Sequence, residues 1–244
     1  PAMEWSDSGI VLAVRPHGET SAIIEVLTAQ NGRHAGLVRG GRSRTMRPVL
    51  QPGNRIAITW RARLADHLGT FVVEAEHLGA GAVMEDRAAL AGLNSACAVA
   101  VMALPEREPH AQVYDGFGVF LAALEHEDVW PALYVSWEAG LLNDLGYGLD
   151  LNTCAVTGVV DDLTHVSPRT GRAVCREEAA PYLAKLLEIP GFMQGSGTIE
   201  PGDIAMGLAL TGYFIDRRVL WPIDKQLPEA RARMIAELER VGRL

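Results

Sequence analysis

Between Leu27 and Ala65 the chain carries eight arginines, namely Arg33, Arg39, Arg42, Arg44, Arg47, Arg55, Arg61 and Arg63. The same stretch has no lysine, aspartate or glutamate; the nearest acids are Glu25 and Asp66. A guanidinium stays charged at any physiological pH and presents a planar fork of donors that matches phosphate oxygens. A run of arginine without acid is therefore chemistry suited to a polyanion. A solvated sheet face with its countercharges elsewhere in space would leave the same trace. Arg42, Arg44 and Arg47 fall in a Gly- and Pro-rich segment, and these three are expected to reach phosphates.

Two other groups could do chemistry. Cys154 and Cys175 are each followed three residues later by a polar residue, Thr157 and Glu178. Two C-x2-C pairs would make a zinc ribbon, but threonine is a poor zinc ligand and two thiolates do not close a structural site. No bound metal or cofactor is expected. Asp161, Asp162 and His165 could serve a hydrolase, although a solvated loop explains them as well. The chain has no phosphate-binding G-x-x-x-x-G-K-[ST], no G-x-G-x-x-G after a strand, no G-x-S-x-G and no H-E-x-x-H. A binding protein is expected, not an enzyme.

The elements that must position these residues change character near residue 80. Gly9 to Val14, Ser21 to Thr28, Arg33 to Arg39, Asn54 to Trp60 and His67 to Glu76 read as five short strands, with Asn31-Gly32 as a hairpin signal. Ile56, Ile58 and Trp60 alternate in phase, which places Trp60 in a core and leaves few rings for base stacking. Five strands in about 70 residues fit an OB-fold barrel. Helical periodicity follows over Asp86 to Leu104, Ala111 to Leu124 and Pro131 to Leu145. Residues 148–176 are polar and turn-rich. Further helices are expected at Glu177 to Glu188, from an Asp203 cap to Leu220, and from Pro228 to Arg240. The fold class is thus α+β: a barrel over residues 1–80 and an all-helical domain over 81–244, with 148–178 a degenerate ribbon-like insertion.

Composition agrees with this division. Of 244 residues, 48% are hydrophobic and 21% charged, enough to bury a core. The net charge of −8 is uneven. Residues 1–80 hold nine arginines against seven acids, or +2, and the remainder holds thirteen basic residues against twenty-three acids, or −10. A basic-leaning part on an acidic body suggests one polyanion-facing region. No apolar run approaches the roughly 18 residues of a membrane span. No basic leader followed by an apolar core opens the chain, and three cysteines form no disulfide framework, so a reducing cytoplasm is expected.

Several segments resemble one family. Gly9-Ile10-Val11-Leu12, Gly18-Glu19-Thr20-Ser21, Leu27-Thr28 with Gly32, Val38-Arg39-Gly40-Gly41-Arg42 and Leu50-Gln51-Pro52 are similar to the N-terminal barrel of RecO recombination mediators. Trp137-Glu138 with Leu141-Leu142 and Leu145-Gly146-Tyr147 resembles that family's F-E-x-x-L-L-x-x-L-G-Y helix. Ser167-Pro168, Gly171 and Cys175 resemble its zinc-ribbon region. The likeness runs from about residue 5 to the C-terminus. It implies a non-enzymatic protein of DNA repair that binds single- and double-stranded DNA without reading sequence and anneals complementary strands. It also implies partnership with RecR, contact with the acidic tail of the single-stranded-DNA-binding protein SSB, and help in loading RecA. The ribbon departs from the family pattern by two ligands, and the 131–145 helix carries no basic residue. For the SSB tail the sequence offers Arg217, Arg218, Trp221 and Lys225, with Tyr213 and Phe214 beside them. An RNA-binding OB-fold protein of translation or RNA processing would show the same basic barrel.

Overall fold

The computed structural model describes residues 2–244. The first five strands are β1 (Met3–His17), β2 (Ser21–Thr28), β3 (Arg33–Val38), β4 (Arg55–Ala62) and β5 (Thr70–His77). They close into a barrel in the order β1-β2-β3-β5-β4. All pairs are antiparallel except β3 with β5, which meet in parallel at Leu37 and Thr70. β1 is longer than the apolar run at Gly9 to Val14 suggests, because it serves two neighbours. Its first half pairs with β4 and its second with β2, across a register shift between Val11 and Ala13. A bulge there bends the strand so that the sheet can close.

The period-2 pattern is carried into the barrel interior. Val11, Ile24, Val26, Val38, Ile56, Ile58, Trp60 and Phe71 form its core. Trp60 is 2% exposed, as its phase with Ile56 and Ile58 requires. His34 lies among Trp5, Trp60 and Phe71 at ring distances of 5.1, 4.9 and 5.9 Å. Its burial holds the imidazole below the usual histidine range, against a hydrogen bond to the Ala35 carbonyl. The Asn-Gly signal ends a four-residue connection, Ala29 to Gly32, in which Gly32 takes positive φ.

Helices α1 (Arg87–Ala103) and α2 (Ala111–Ala122) follow; the Asp86 side chain caps α1 by accepting from the Ala89 amide. The chain divides into two compact units. One takes the residues up to Glu125 with Pro228–Met234, and the other His126–Leu227 with Ile235–Leu244. The barrel therefore shares its compact unit with α1 and α2.

The second unit holds α3 (Trp130–Asp144) and α5 (Asp203–Phe214) packed together. The buried Glu138 carboxylate of α3 accepts from Tyr134 Oη at 2.9 Å and Thr211 Oγ1 at 2.7 Å. This unit is not all-helical. The segment read as turns contains strands β6 (Leu163–Val166) and β7 (Ala173–Cys175), which join β8 (Leu187–Glu188) in a three-stranded sheet. Nor is Glu177 to Glu188 one helix. α4 (Arg176–Ala179) passes into a 3-10 turn at Ala180–Lys185, where Tyr182 is non-helical at φ −127°. Pro181 lacks the amide that would continue the ladder and restricts the residue before it. After α5 the helix widens into a π turn over Ile215–Leu220, and the position before α5 is Gly202 at φ 89°, so Asp203 lies in the first turn. α6 (Glu229–Arg240) closes the series. Among the described residues no helix is long and apolar enough to cross a membrane.

Candidate nucleic-acid interface

Strand register decides which arginines share a neighbourhood. Ala22 pairs with Val38, Leu37 with Thr70, and Thr70 with Arg61. The start of β2, the ends of β3 and β4 and the start of β5 therefore lie at one end of the barrel. Arg39, Arg42, Arg61 and Arg63 belong to this end. Arg33 and Arg55, which open β3 and β4, belong to the other.

The β3–β4 connection, residues 39–54, is held firmly. At its entrance Gly40 takes φ +70°, and a Cβ at Gly41 would stand 2.9 Å from Ala22 Cβ. The Arg42 amide bonds Thr20 O at 3.1 Å and its Nη1 donates to Gly18 O at 2.6 Å, tying the loop to the β1–β2 turn. Ser43 Oγ accepts from the Met46 amide at 3.1 Å and starts a helical turn in which the Arg47 amide bonds Ser43 O. Leu50, 2% exposed, plugs the barrel core, and Met46 and Val49 pack beside it. Burying one leucine stabilises by about 2 kcal/mol. Asn54, 1% exposed, donates from Nδ2 to Pro48 O (2.8 Å) and Val49 O (3.1 Å), and its Oδ1 accepts from the Ala80 amide at 3.0 Å. The loop is thus a fixed platform whose upper face carries arginine.

On that platform Arg44 and Arg47 are exposed, as is Arg39 at its entrance. None of the three guanidinium groups has a hydrogen-bond or ion-pair partner among the described residues, and the same holds for that of exposed Arg63. Arg42 and Arg47 also line an open groove of about 410 Å³ whose other walls include Val14, Pro16, Leu50 and Pro52. Arg61 is exposed but faces Glu4 at 2.8 Å. Arg33 and Arg55 are occupied by the protein itself. Arg33 pairs with Glu25 and donates from Nε to Leu104 O at 2.8 Å; Arg55 donates to Tyr114 Oη. One contributor had no signal in the sequence. Arg107, some forty residues from the loop it supports, donates to Ala65 O and to His67 O (2.6 Å) and lies 5.2 Å from the Trp60 ring. It fixes the β4–β5 loop that follows Arg63.

In the second unit the π turn presents Arg217 between Tyr213 and Trp221, with ring distances of 5.6 and 4.1 Å. Trp221 is 60% exposed and Ile223 51%, and Lys225 is exposed beside them. Arg218 is partly buried over Phe214 at 4.6 Å, and Phe214 is wholly buried and lines no surface. Arg231 and Arg233 belong to the first unit; Arg231 is buried, and Arg233 pairs with Glu229 at 2.8 Å.

The ribbon-like segment brings Cys154, Cys175 and Thr157 together. The Cys175 amide lies 3.4 Å from Cys154 Sγ, and Thr157 Oγ1 lies 4.0 Å from Cys175 Sγ. Burial works to raise the Cys154 thiol. The Thr157 hydroxyl and the amides of Cys175, Thr157 and Val156 outweigh it and bring the thiol down to about 6. Among the described residues no three His, Cys, Asp or Glu side chains converge as a metal site, so two thiols and a hydroxyl do not fit zinc. Asp162 holds Arg176 with both oxygens (3.1 and 3.2 Å), and His165 Nδ1 lies 2.8 Å from Thr164 Oγ1.

The strand order, the single parallel pair and the plugged interior define the class: an OB-fold protein with a helical second unit. Two family models match it, the N-terminal domain of recombination protein O over residues 3–78 and its C-terminal domain over residues 84–227. The chain is 50% identical over 243 residues to the DNA repair protein RecO of Phenylobacterium zucineum, covering 99% of this chain and 100% of the relative. It is 47% identical to that of Caulobacter vibrioides strain NA1000, with the same coverage, and 49% identical to that of Rhodospirillum centenum over 96% and 94%. The chain belongs to the RecO family.

Proposed function

We propose that this protein is a non-enzymatic mediator of DNA repair and recombination in the cytoplasm. It binds single- and double-stranded DNA through phosphate contacts, anneals complementary strands, and works with RecR and SSB to help load RecA. The observation that carries the reading is the anchored β3–β4 platform, with Arg39, Arg44 and Arg47 free of any protein anion and Arg42 at its edge. Fixed cations without counter-carboxylates suit phosphates, and they carry no sequence readout. Arg63 extends this basic end, and Arg61 joins it by exchanging Glu4 for a phosphate. Arg33, paired with Glu25, serves the fold instead, and Arg55 is turned toward Tyr114. The exposed Arg217–Trp221 stack, with Lys225 nearby and Arg218 at its side, fits an acidic tail ending in an apolar residue.

The test is fluorescence-monitored annealing of complementary strands without ATP, with and without SSB. Annealing faster than the spontaneous rate, and retained on SSB-coated strands, is expected. No acceleration in either setting would defeat the proposal.

A further inference from the structure

We propose that a pocket between the start of β4 and helices α1 and α2 binds a compact apolar carboxylate, with Arg55 as its counter-charge. The pocket measures about 160 Å³ and is lined by Arg55, His77, Val83, Leu93, Leu121 and Leu124 among others. An apolar cavity of about 150 Å³ is large enough for benzene. The walls thus accept one small ring or branched chain and exclude a nucleotide.

Arg55 gives the pocket its polarity. It is partly buried, and its two protein partners are both neutral: the Tyr114 hydroxyl, to which Nη1 donates, and the Tyr114 ring, 5.2 Å from the guanidinium carbon. No carboxylate pairs with it among the described residues. Arg33 is the internal control, because it is partly buried at the same end of the barrel and has Glu25. A cation drawn out of water without an anion is costly, and a bound carboxylate would offset that cost while using the guanidinium fork. Helix α2 also leaves the guanidinium room. A Cβ at Gly118 would stand 2.8 Å from Arg55 Nη2. Exposed His77 stands at the rim.

The experiment titrates the full chain by calorimetry with benzoate and with its neutral analogue benzamide, near neutral pH where a carboxylate is ionised. Benzoate should bind on the order of tenfold more tightly than benzamide, the scale of a charge-assisted pair. Arg55→Gln, checked for folding by circular dichroism, should remove the difference. Equal affinity of the two probes, no measurable benzoate binding, or a preference surviving in Arg55→Gln would overturn the assignment. Should the variant fail to fold, nuclear Overhauser contacts in the unaltered chain decide. Contacts from the benzoate ring to the Val83 and Leu93 methyls are expected, and contacts confined to other methyls would place the ligand elsewhere.

Discussion

A guanidinium that already faces a carboxylate must exchange one anion for another to hold a phosphate, so its net gain is small. This separates the arginines of the barrel. Arg44 and Arg47 have no anion to give up, whereas Arg33 would leave Glu25 behind, partly buried. Replacing Arg44 and Arg47 with Ala should weaken binding to all DNA sequences alike and lower the salt slope by about 0.9 per contact, or roughly 1.8 on duplex. Three such contacts would make affinity fall roughly 40-fold between 50 and 200 mM salt. Arg33→Ala should leave the slope alone and instead cost about 1–3 kcal/mol of stability, from an unpaired carboxylate and an unfilled Leu104 carbonyl. Binding isotherms at several salt concentrations, beside thermal melts, separate the two effects. An unchanged slope in the Arg44/Arg47 variant would move the interface off this loop.

At the scale of elements, the ribbon-like segment gathers hydrogen bonds around Cys154. The amides that meet Cys154 Sγ and the Thr157 hydroxyl favour its thiolate, with the thiol near 6 against 9.0 in a free cysteine. A group whose ionised form the fold prefers stabilises above its unfolded value and loses that contribution as pH falls through its folded one. Stability should therefore rise between about pH 6 and 9, Cys154→Ser should flatten that rise, and a chelator should leave the melt unchanged. One zinc per chain after dialysis would contradict this. Thr157 and Glu178 in place of thiolates were legible in the sequence; the hairpin around them was not. β6 and β7 are four and three residues long, too short to show alternation, and their register, Leu163 with Cys175 and Val166 with Ala173, is set by the pairing itself. By contrast β2 and α1 could be read almost to the residue, because each has a long periodic face and a clear terminator. The break after Ala179 also has a signal in the sequence, Pro181. The basic block was legible as a composition. Which of its arginines are free was not, since Glu25, Glu4 and Tyr114 reach them only through strand pairing and packing.

At the scale of the whole molecule, the charge is divided between a basic-leaning barrel and an acidic remainder. A protein that draws two polyanionic strands together needs cations at the strands, and acid elsewhere limits non-specific binding. An acidic peptide partner would then meet repulsion over most of the second unit and attraction only at a local basic spot. Arg217 is such a spot: it is 45% exposed, stacked on an exposed tryptophan, and its nearest acid, Asp216, lies at a loose 3.9 Å. Stacking removes water from one face of the guanidinium without neutralising it, which strengthens its pull on a carboxylate. Arg217 and Arg218 also lie at the end of a helical run, where carbonyl dipoles favour cations, so reversing both charges removes a favourable contact and adds a repulsive one. The Arg217→Glu, Arg218→Glu variant should therefore lose binding of an SSB tail peptide by at least tenfold on the usual scale of a charge reversal. Its affinity for naked DNA should stay within about twofold, because the proposed DNA platform lies in the other compact unit. Fluorescence anisotropy with a labelled tail peptide and with a labelled oligonucleotide measures both in one preparation. Undiminished peptide affinity would place the partner site elsewhere, and a parallel loss of DNA affinity would show that the second unit shares the DNA surface.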